Sequence, residues 1–562
     1  MGLINVRLDE DHFTLKKGIL AKDVLRQVAY EDSDDIVAVK VNKHIRELDY
    51  CLLEDCVLEP INLRQKDGQR IYIRSLVFVL IRACRDLFPG IRVSVEHSFA
   101  GGLYCELHGD ITLTPRLVDR IEDRMREIIK ADEPFEKVDT PIKEANEIFK
   151  LMGFDDKIDI LKYRPEDTIS LYKCGPMTDY LYGYMVPSTA YLKSFGLKFY
   201  LPGLVLRYPS RENPKELAPF IDSPKLFTVF RRSEKFAKII KIENVADLNQ
   251  RIERGEGGDI IRICEAQHEK QLAFIADQIA DQRDRIRLVL IAGPSSSGKT
   301  TFAQRLRVQM IINGLNPVPI SMDNYYLDRV DIPLDERGEK DLESIDALDL
   351  ELFNEQMTKL IQGRSVEIPH YNFSTGKKEY LGQKIKVNQD QPIIVEGIHG
   401  LNEKLTEMIP RENKYEIYIS ALTQLNIDNH NRIPTTDTRL IRRMVRDYHF
   451  RGTPIEKTLE MWPSVRRGEE KYIFPYQEAA DVMFNSALVY ELAVLKPYIL
   501  SLLESYPLDN KYFNEVNRLR KFLQYFIDLK PDDIPNTSLL REFIGGSGFS
   551  SHGILKKDDM LS

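Results

Sequence analysis

The sequence has only one tryptophan and six cysteines, and no apolar run is long enough to span a bilayer. The cysteines lack the close spacing typical of zinc sites, and the first residues, MGLINVRLDEDHF, lack the basic and apolar regions of a signal peptide. We therefore expect reduced thiols and a cytoplasmic protein. A net charge of −8 disfavours non-specific binding of nucleic acid, although a local basic patch would still permit it.

A length of 562 residues is enough for roughly three or four domains, and the hydrophobic patterning divides the chain into regions. Alternating strands around one helix over residues 1–65 predict a β-grasp domain, and mixed periodicities over 66–225 predict an α+β domain. Residues 226–285 are charged and predict a helical connector. Residues 286–505 alternate strands and helices, which predicts a parallel α/β sheet. A helix and a mobile, Gly/Ser-rich tail are expected over 506–562.

The segment RLVLIAGPSSSGKTT, residues 287–301, predicts a P-loop between a strand and a helix. Its glycines let backbone N–H groups surround phosphate, and the following helix N-terminus attracts negative charge. The lysine reaches the β- and γ-phosphates, and the first threonine hydroxyl holds Mg²⁺. We expect ATP to contact Gly293, Ser295, Ser296, Ser297, Gly298, Lys299, Thr300 and Thr301.

Two carboxylates follow apolar stretches and point to phosphate chemistry. Asp323 comes after PVPIS, at the predicted carboxyl end of a strand, and would accept a proton from an attacking hydroxyl or hold Mg²⁺ through water. Glu396 ends the strand QPIIVE and is the expected Mg²⁺ partner of Thr300. The alternatives are a helix-capping Asp323 and a Glu396 that only forms a turn.

An arginine stripe follows in TDTRLIRRMVRDYHFRGTP. Spacings of i, i+3, i+4 and i+7 put four arginines on one helix face, and a fifth lies just beyond: Arg439, Arg442, Arg443, Arg446 and Arg451. Such a stripe suits a lid that closes over a triphosphate and neutralises developing charge. A solvated or salt-bridged helix is the alternative.

Residues 287–500 resemble the uridine kinase and phosphoribulokinase family. The likeness is carried by GPSSSGKTT, ISMDNYY, SIDALDLELF, GRSVEIPHYNF, IIVEGIHGL, TRLIRRMVRD with RGTP, and YIFPYQEAADVMF, in the family's order. The resemblance implies an α/β P-loop kinase that uses ATP and Mg²⁺. It also implies that the acceptor is the 5′-hydroxyl of a nucleoside or a hydroxyl of a sugar phosphate.

The same resemblance assigns roles to single residues. It implies that Asp323 is the general base and that Lys299 is catalytic, and it puts Glu343 where uridine kinases hold the ribose hydroxyls. Tyr371 and Phe373 correspond to aromatic residues that pack on the base. Arg446 and Arg451 correspond to arginines that bind substrate and phosphates, and Tyr325 is expected beside the substrate.

Three positions depart from uridine kinases. Gly376 and Met461 stand where a His and a Gln read the pyrimidine, and Glu343 replaces an Asp. We therefore expect relaxed base selectivity, or a preference for another base, with a purine admitted by the room at Gly376. A sugar or sugar-phosphate kinase and an RNA-associated regulatory NTPase stay open as alternatives.

The front half resembles the start of threonyl-tRNA synthetases. Residues 1–65 are similar to the TGS domain, and residues 66–209 are similar to the editing domain through RSLVFVLIRACRDLFPGIRV, GGLYCEL and MVPSTAYLKSFGLK. The family's His, His, Cys and His positions hold Arg74, Phe78, Leu181 and Met185, none of which is an ordinary zinc ligand. We expect no zinc there and no hydrolysis of mischarged tRNA. The three-part order resembles bacterial uridine kinase-like nucleoside kinases.

The role of the front half stays open among a scaffold, a dimerisation surface in a homo-oligomer and a ligand sensor. His97 and His108 are interpreted as lone histidines without a metal. Basic residues at the start of the editing-like region would contact RNA or form a solvated face: Arg64, Lys66, Arg70 and Arg74.

Overall fold

The computed structural model describes residues 2–28, 30, 35–335 and 338–549. Among these residues, no helix is both long enough and apolar enough to cross a membrane. The structure confirms the predicted α/β class, with a parallel sheet in the C-terminal part.

The first region is a five-stranded sheet with one helix against it. Its elements are β1 (Leu3–Leu8), β2 (Asp11–Lys16), α1 (Ala21–Gln27), β3 (Ile36–Val41), β4 (His44–Arg46) and β5 (Cys56–Asn62). The strand order is β2-β1-β5-β3-β4, and β1 runs parallel to β5. Every second residue of β1 is buried, because only one face of the sheet meets α1.

The second region surrounds a long buried helix, α2 (Lys66–Leu87). It continues with β6 (Arg92–Phe99), β7 (Gly102–His108), α3 (Pro115–Lys130), β8 (Glu136–Pro141), α4 (Ile142–Met152), α5 (Asp155–Leu161), β9 (Thr168–Cys174), β10 (Met177–Asp179), β11 (Gly196–Tyr200) and β12 (Gly203–Arg207). The strands form two antiparallel sheets, ordered β11-β12-β7-β6 and β10-β9-β8. α2 contributes a run of apolar side chains to their shared core.

The third region is the parallel sheet, ordered β14-β19-β13-β20-β21. In chain order the elements are α6 (Pro224–Ile240), α7 (Val245–Glu253), α8 (Gly257–Ala280), β13 (Leu288–Ala292), α9 (Lys299–Ile312), β14 (Val318–Ser321), α10 (Leu350–Ile361), β15 (Val366–Glu367), β16 (His370–Asn372), β17 (Lys377–Glu379), β18 (Lys384–Ile385), β19 (Ile393–Glu396), β20 (Lys414–Ser420), α11 (Thr435–Arg451), α12 (Ile455–Tyr472), β21 (Val482–Asn485) and α13 (Glu491–Glu504). Every residue of β13 is buried, because helices cover both sheet faces.

α8 belongs to this layer, although residues 226–285 were predicted as a connector. Its residues Leu272 and Ile275 pack with Val289 of β13 and Phe302 of α9 in one apolar cluster. Most charged residues of α8 lie on its outer face, whereas Glu265 is buried and pairs with Arg305 of α9. The helix therefore covers the sheet as well as linking two regions.

The C-terminal region contains α14 (Phe513–Leu523) and α15 (Arg541–Ile544). We expected a mobile tail after α14, but residues up to Ile544 are packed on the parallel-sheet region, and residues 546–548 are exposed. Leu539, Leu540 and Phe543 are fully buried, because their apolar side chains fill the space beside α9 and α11. The part of the predicted tail from residue 550 onward lies outside the described residues.

Buried charges join the front half to the parallel-sheet region. Lys157, 1% exposed, has its Nζ 3.2 Å from Asp179 and 3.1 Å from Asp428, which precedes α11. Asp179 also bonds His430 at 2.7 Å. A buried cation shared by two carboxylates is satisfied only when both regions are in place.

Candidate active site

The P-loop lies between β13 and α9 as its sequence predicted. Gly293 is required there, because a Cβ would lie 1.9 Å from the carbonyl oxygen of Ile419 on the neighbouring strand. Gly298 has φ +88°, a conformation that favours glycine. The Nζ of Lys299 donates to the carbonyl oxygens of Gly293 at 2.9 Å and Pro294 at 3.2 Å. The side chain of Lys299 therefore lies across the P-loop.

Carboxylates from adjacent strands meet the P-loop. Thr300 Oγ1 donates to Glu396 Oε1 at 3.3 Å, and β19 pairs with β14 so that Glu396 lies opposite Ser321, two residues before Asp323. Burial in the cleft and the charge of Asp323 raise the pKa of Glu396 to about 7, against the influence of Lys299. Burial likewise raises the pKa of Asp323, and Lys299 and Arg451 oppose the rise.

This donor set fits Mg²⁺. The ion prefers oxygen ligands, and the Thr300 hydroxyl and Glu396 carboxylate are oxygen donors already in contact. Burial is the main cause of the raised pKa of Glu396 and the charge of Asp323 adds to it, and a bound divalent cation would offset both effects.

Glu343 lies near enough to Lys299 and Asp323 for their charges to act on it. Burial raises its pKa to about 7, Arg443 and Lys299 lower it, and Asp323 adds to the rise. Gly468 of α12 lets the helix come close, because a Cβ there would lie 2.4 Å from Glu343 Cβ.

Of the predicted aromatic residues, only some line the cleft. Tyr325 is fully buried and its hydroxyl donates to Gln356 at 2.8 Å, so it belongs to the core and not to the substrate site as we expected. Its neighbour Tyr326 instead stands beside Tyr371 and Phe373, with ring centroids 5.4 and 6.0 Å away. Tyr371 is 2% exposed, whereas Phe373 is 55% exposed.

The two innermost arginines of the stripe support the P-loop from below. Arg439 is buried, pairs with Glu469, and donates to the carbonyl oxygen of Ser295 at 2.9 Å. Arg442 is buried, pairs with Glu491, and donates to the carbonyl oxygen of Ser296 at 3.4 Å. These two residues therefore support the P-loop, and this corrects our prediction that they belong to a lid. Buried guanidiniums that are held by carboxylates cannot move over a ligand.

The outer arginines of the stripe have different contacts. Arg443 donates to Ser295 Oγ at 2.9 Å and faces Glu343. Arg451 is 60% exposed in its side chain, and its charge acts on Asp323. Arg446 donates to Asp447 at 2.8 Å, and Arg451 lies 3.7 Å from the same carboxylate.

Gly376 and Met461 do not leave the room that the sequence suggested. A Cβ on Gly376 would lie 2.8 Å from the side chain of Arg329, which therefore fills the space beside it. Arg329 also donates to the carbonyl oxygen of Phe373 at 2.7 Å. Met461 is 40% exposed on α12, two turns before Gly468. The expected space for a purine at Gly376 is thus occupied by Arg329.

Several contacts of the P-loop were missed from the sequence. Glu469 accepts the Ser295 N–H at 3.1 Å, and Glu542 accepts the Thr301 hydroxyl at 2.8 Å. Ser296 and Ser297 have buried hydroxyls without a hydrogen-bond partner among the described residues. No motif marks Glu542, which lies more than two hundred residues from the P-loop in sequence.

In the front half, the four positions of the synthetase ligands do come together. Phe78, Leu181 and Met185 are buried in one apolar cluster. Arg74 Nη1 donates to the carbonyl oxygen of Tyr184 at 2.6 Å, and burial lowers the pKa of Arg74 to about 10. The four positions are thus occupied by apolar side chains of the core and by an arginine that bonds the backbone.

The basic residues considered for RNA are also engaged. Lys66 and Arg70 each lie 2.8 Å from Glu515 of α14, and Glu515 bonds Arg518 as well. Arg64 donates to the carbonyl oxygen of Glu212 at 3.1 Å. These contacts make the cluster an interface between α2 and α14.

His97 is not a lone histidine, contrary to our interpretation. Its Nε2 lies 3.1 Å from Glu234, and the ligand atoms of Glu96, His97 and Glu234 fall within 4.8 Å of one another. Burial lowers the pKa of His97 to about 4. Arg231 pairs with Glu234 at 2.6 Å, so a cation of the chain itself compensates this cluster. His108 bonds Ser94 at 2.7 Å.

Comparison with known proteins bears on both halves. Residues 288–493 match the model of the Phosphoribulokinase / Uridine kinase family. This kinase-family region contains the P-loop, Asp323, Glu343, Glu396 and the arginine helix, and the match supports a phosphotransferase. It confirms the resemblance on which the site roles were assigned, while the roles themselves stay proposals.

The N-terminal region matches threonine–tRNA ligases. That of Desulforamulus reducens is 34% identical over 181 residues, which is 32% of this chain and 28% of the relative. That of Clostridium kluyveri is 26% identical over 252 residues, or 45% of this chain and 38% of the relative. The chain thus spans well under half the length of these relatives.

Solved structures similar to the kinase-family region include one described as a "Possible Uridine Kinase" from Bacillus stearothermophilus. It is 17% identical with a TM-score of 0.25, covering 38% of this chain and 100% of that chain. A D-glycerate 3-kinase from Cryptococcus neoformans is 15% identical with a TM-score of 0.22, covering 48% and 90%.

Proposed function

We propose that this chain is an ATP- and Mg²⁺-dependent kinase that acts on a small acceptor, with the 5′-hydroxyl of a nucleoside as the first candidate. The observation that carries the proposal is the meeting of Lys299, Thr300, Glu396 and Asp323 where parallel strands end. Ligands of open α/β sheets bind at this edge. The reaction would take place in the cytoplasm, where reduced thiols are stable.

ATP would bind with its β- and γ-phosphates in the P-loop and Lys299 on their oxygens. Thr300 and Glu396 would hold Mg²⁺, which neutralises phosphate charge when bound. Asp323 would take the proton of the acceptor hydroxyl while that oxygen bonds the γ-phosphorus and the bond to the β-phosphate oxygen breaks. Burial raises its pKa, which makes it a stronger base toward the acceptor proton.

The acceptor would lie between Glu343 and the aromatic group of Tyr326, Tyr371 and Phe373. A carboxylate suits sugar hydroxyls, and the exposed ring of Phe373 offers a stacking surface. Arg329 beside Gly376 adds a hydrogen-bond donor near this surface. We therefore propose base selectivity that depends on Arg329, in place of the open space first expected.

A sugar-phosphate acceptor is the second candidate. Arg451 favours it, because a largely exposed guanidinium that acts on Asp323 would pair with an acceptor phosphate. A nucleoside has no such group, so replacing Arg451 would affect the KM of the two acceptor classes differently.

The test is a screen of nucleosides and sugar phosphates for ATP-dependent phosphorylation by the full chain. Product formation is expected with one class and not with the chain carrying Lys299→Ala. ATP hydrolysis without any phosphorylated acceptor, across both classes, would contradict the proposed function.

A further inference from the structure

The C-terminal segment, defined here as residues 534–549, rests against the P-loop. Leu539 is fully buried in the cluster that contains Phe302, and a Cβ on Gly298 would lie 3.3 Å from it. Phe543 packs beneath the guanidinium of Arg442, 5.0 Å from its ring centroid. Apolar burial on both sides thus fixes the segment beside the loop.

Between these anchors, Glu542 reaches the first turn of α9. Its Oε2 accepts the Thr301 hydroxyl at 2.8 Å and the Thr301 backbone N–H at 3.3 Å. The first N–H groups of a helix have no partner within it, and after a P-loop they receive phosphate oxygens. A carboxylate of the chain itself therefore holds donors that a phosphate would use.

No cation neutralises Glu542 directly. Among the described residues it forms no ion pair with a lysine or arginine, although its charge acts on Lys299 and Arg451. It also adds to the crowding of negative charge at Glu396. Glu542 is thus held mainly by Thr301 and by the positive end of the fourteen-residue α9.

We propose that the C-terminal segment is an internal competitor for the nucleotide site, in which Glu542 occupies the Thr301 donors until the phosphates of ATP displace it. The inference rests on the proposed function only in taking ATP as the P-loop ligand. Gly545 and Gly546, with φ +84° and +72°, follow α15 and let the chain turn directly behind Glu542. The apparent affinity for ATP is then proportional to the fraction of chains in which Glu542 does not occupy the Thr301 donors.

The test measures ATP binding by calorimetry on the full chain with Mg²⁺, without an acceptor. Glu542→Gln removes the charge and keeps the shape, and we expect it to bind ATP at least ~5-fold more tightly, the lower end of usual coupling between sites. Asp532→Asn is the matched control, because Asp532 is exposed in the same region and has no charged partner among the residues that the structure describes. It should bind ATP as the wild type does.

Hydrogen exchange on the wild-type chain gives a readout that does not depend on a variant folding. On ATP binding, exchange at residues 538–549 should speed up while exchange at the P-loop slows. Slower exchange in both segments, or equal or weaker ATP binding by Glu542→Gln, overturns the inference.

The outcomes separate the two proposals. ATP that binds more tightly to Glu542→Gln, with no acceptor phosphorylated, supports the internal competitor and contradicts the kinase. A phosphorylated acceptor with unchanged ATP affinity does the reverse. Failure of ATP to bind either protein contradicts both, whereas binding by the variant alone supports the competitor strongly.

Discussion

Asp323 and Lys299 share one cleft but act on different partners, so their replacement separates turnover from ATP binding. Asp323→Asn should lower turnover by ~10²–10⁴, the usual contribution of a positioned base, while ATP still binds. Lys299→Ala should weaken ATP binding as well, because it removes charge from the phosphates. Steady-state kinetics and ATP titration measure the difference. Near-normal turnover by Asp323→Asn would contradict its role as base.

The raised pKa of Glu343 makes stability depend on pH. Its ordinary value is 4.5 and burial raises it to about 7, so the folded chain binds this proton more tightly than the unfolded chain. Its contribution to stability therefore falls as pH rises from about 4.5 to about 7 and stays low above that. Glu343→Gln should raise Tm at pH 8 and leave it unchanged at pH 4.5.

Exposed Glu407→Gln is the control for this pH experiment, because no interaction of its side chain is found in the described part of the chain. It should change Tm at neither pH. A Glu343→Gln variant that gains stability equally at pH 4.5 and pH 8 would show that proton binding is not the cause.

At the scale of single residues, sequence patterns predicted which residue types meet at the P-loop better than the direction in which each side chain points. The P-loop spacing predicted Thr300 as the partner of Glu396, and the structure places the two side chains in contact, while their role with Mg²⁺ stays a proposal. Tyr325 and Tyr326 are adjacent, chemically identical and buried in one cluster, and only the turn after β14 decides that the second contacts Tyr371 and Phe373. No spacing in the sequence carries that information.

At the scale of elements, α11 is tied to α13 by a buried ion pair. Glu491→Ala would leave the Arg442 guanidinium buried without its carboxylate, and we expect a loss of about 3–5 kcal/mol in the free energy of unfolding. Urea denaturation measures it. The exposed pair of Lys457 and Glu460 on α12 is the control, and Glu460→Ala should have no measurable effect.

Trp462, the only tryptophan, reports on the same helices. It is 4% exposed, and the Arg439 guanidinium, which also bonds the P-loop, lies 5.5 Å from its ring centroid. ATP in the loop should therefore change its fluorescence, and ATP with acceptor should change it more. A Trp462 emission spectrum that changes with neither ligand, at concentrations where calorimetry shows binding, would contradict this coupling.

Elements that depend on distant partners were the ones the sequence could not predict. The strands of the parallel sheet are apolar throughout, so their class was predictable. α8 has a charged outer face, and the role of its apolar inner face becomes clear only when β13 is placed beside it. The segment 534–549 looks mobile by composition, and its order comes from burial against α9 and α11, far away in the sequence.

At the scale of the whole molecule, Lys157 couples the front half to the kinase-family region. Lys157→Met would leave Asp179 and Asp428 buried together without a cation, and the carboxylates would repel each other. We expect a lower Tm and faster hydrogen exchange in residues 425–432. Lys162→Met removes an exposed partner of Asp159 and is the control, with little change expected. Unchanged exchange in Lys157→Met would mean that the two halves are stable independently.

The packing of α8 sets the smallest fragment worth expressing. A protein cut to the matched residues 288–493 would lack the helix that shields one sheet face, together with Leu539, and its exposed apolar surface would favour aggregation. A fragment for recombinant work would need α8 and the chain to at least Leu539, and the buried pairs of Lys157 favour keeping the front half as well. Sequence similarity thus marks a shorter stretch than the packed region around the parallel sheet.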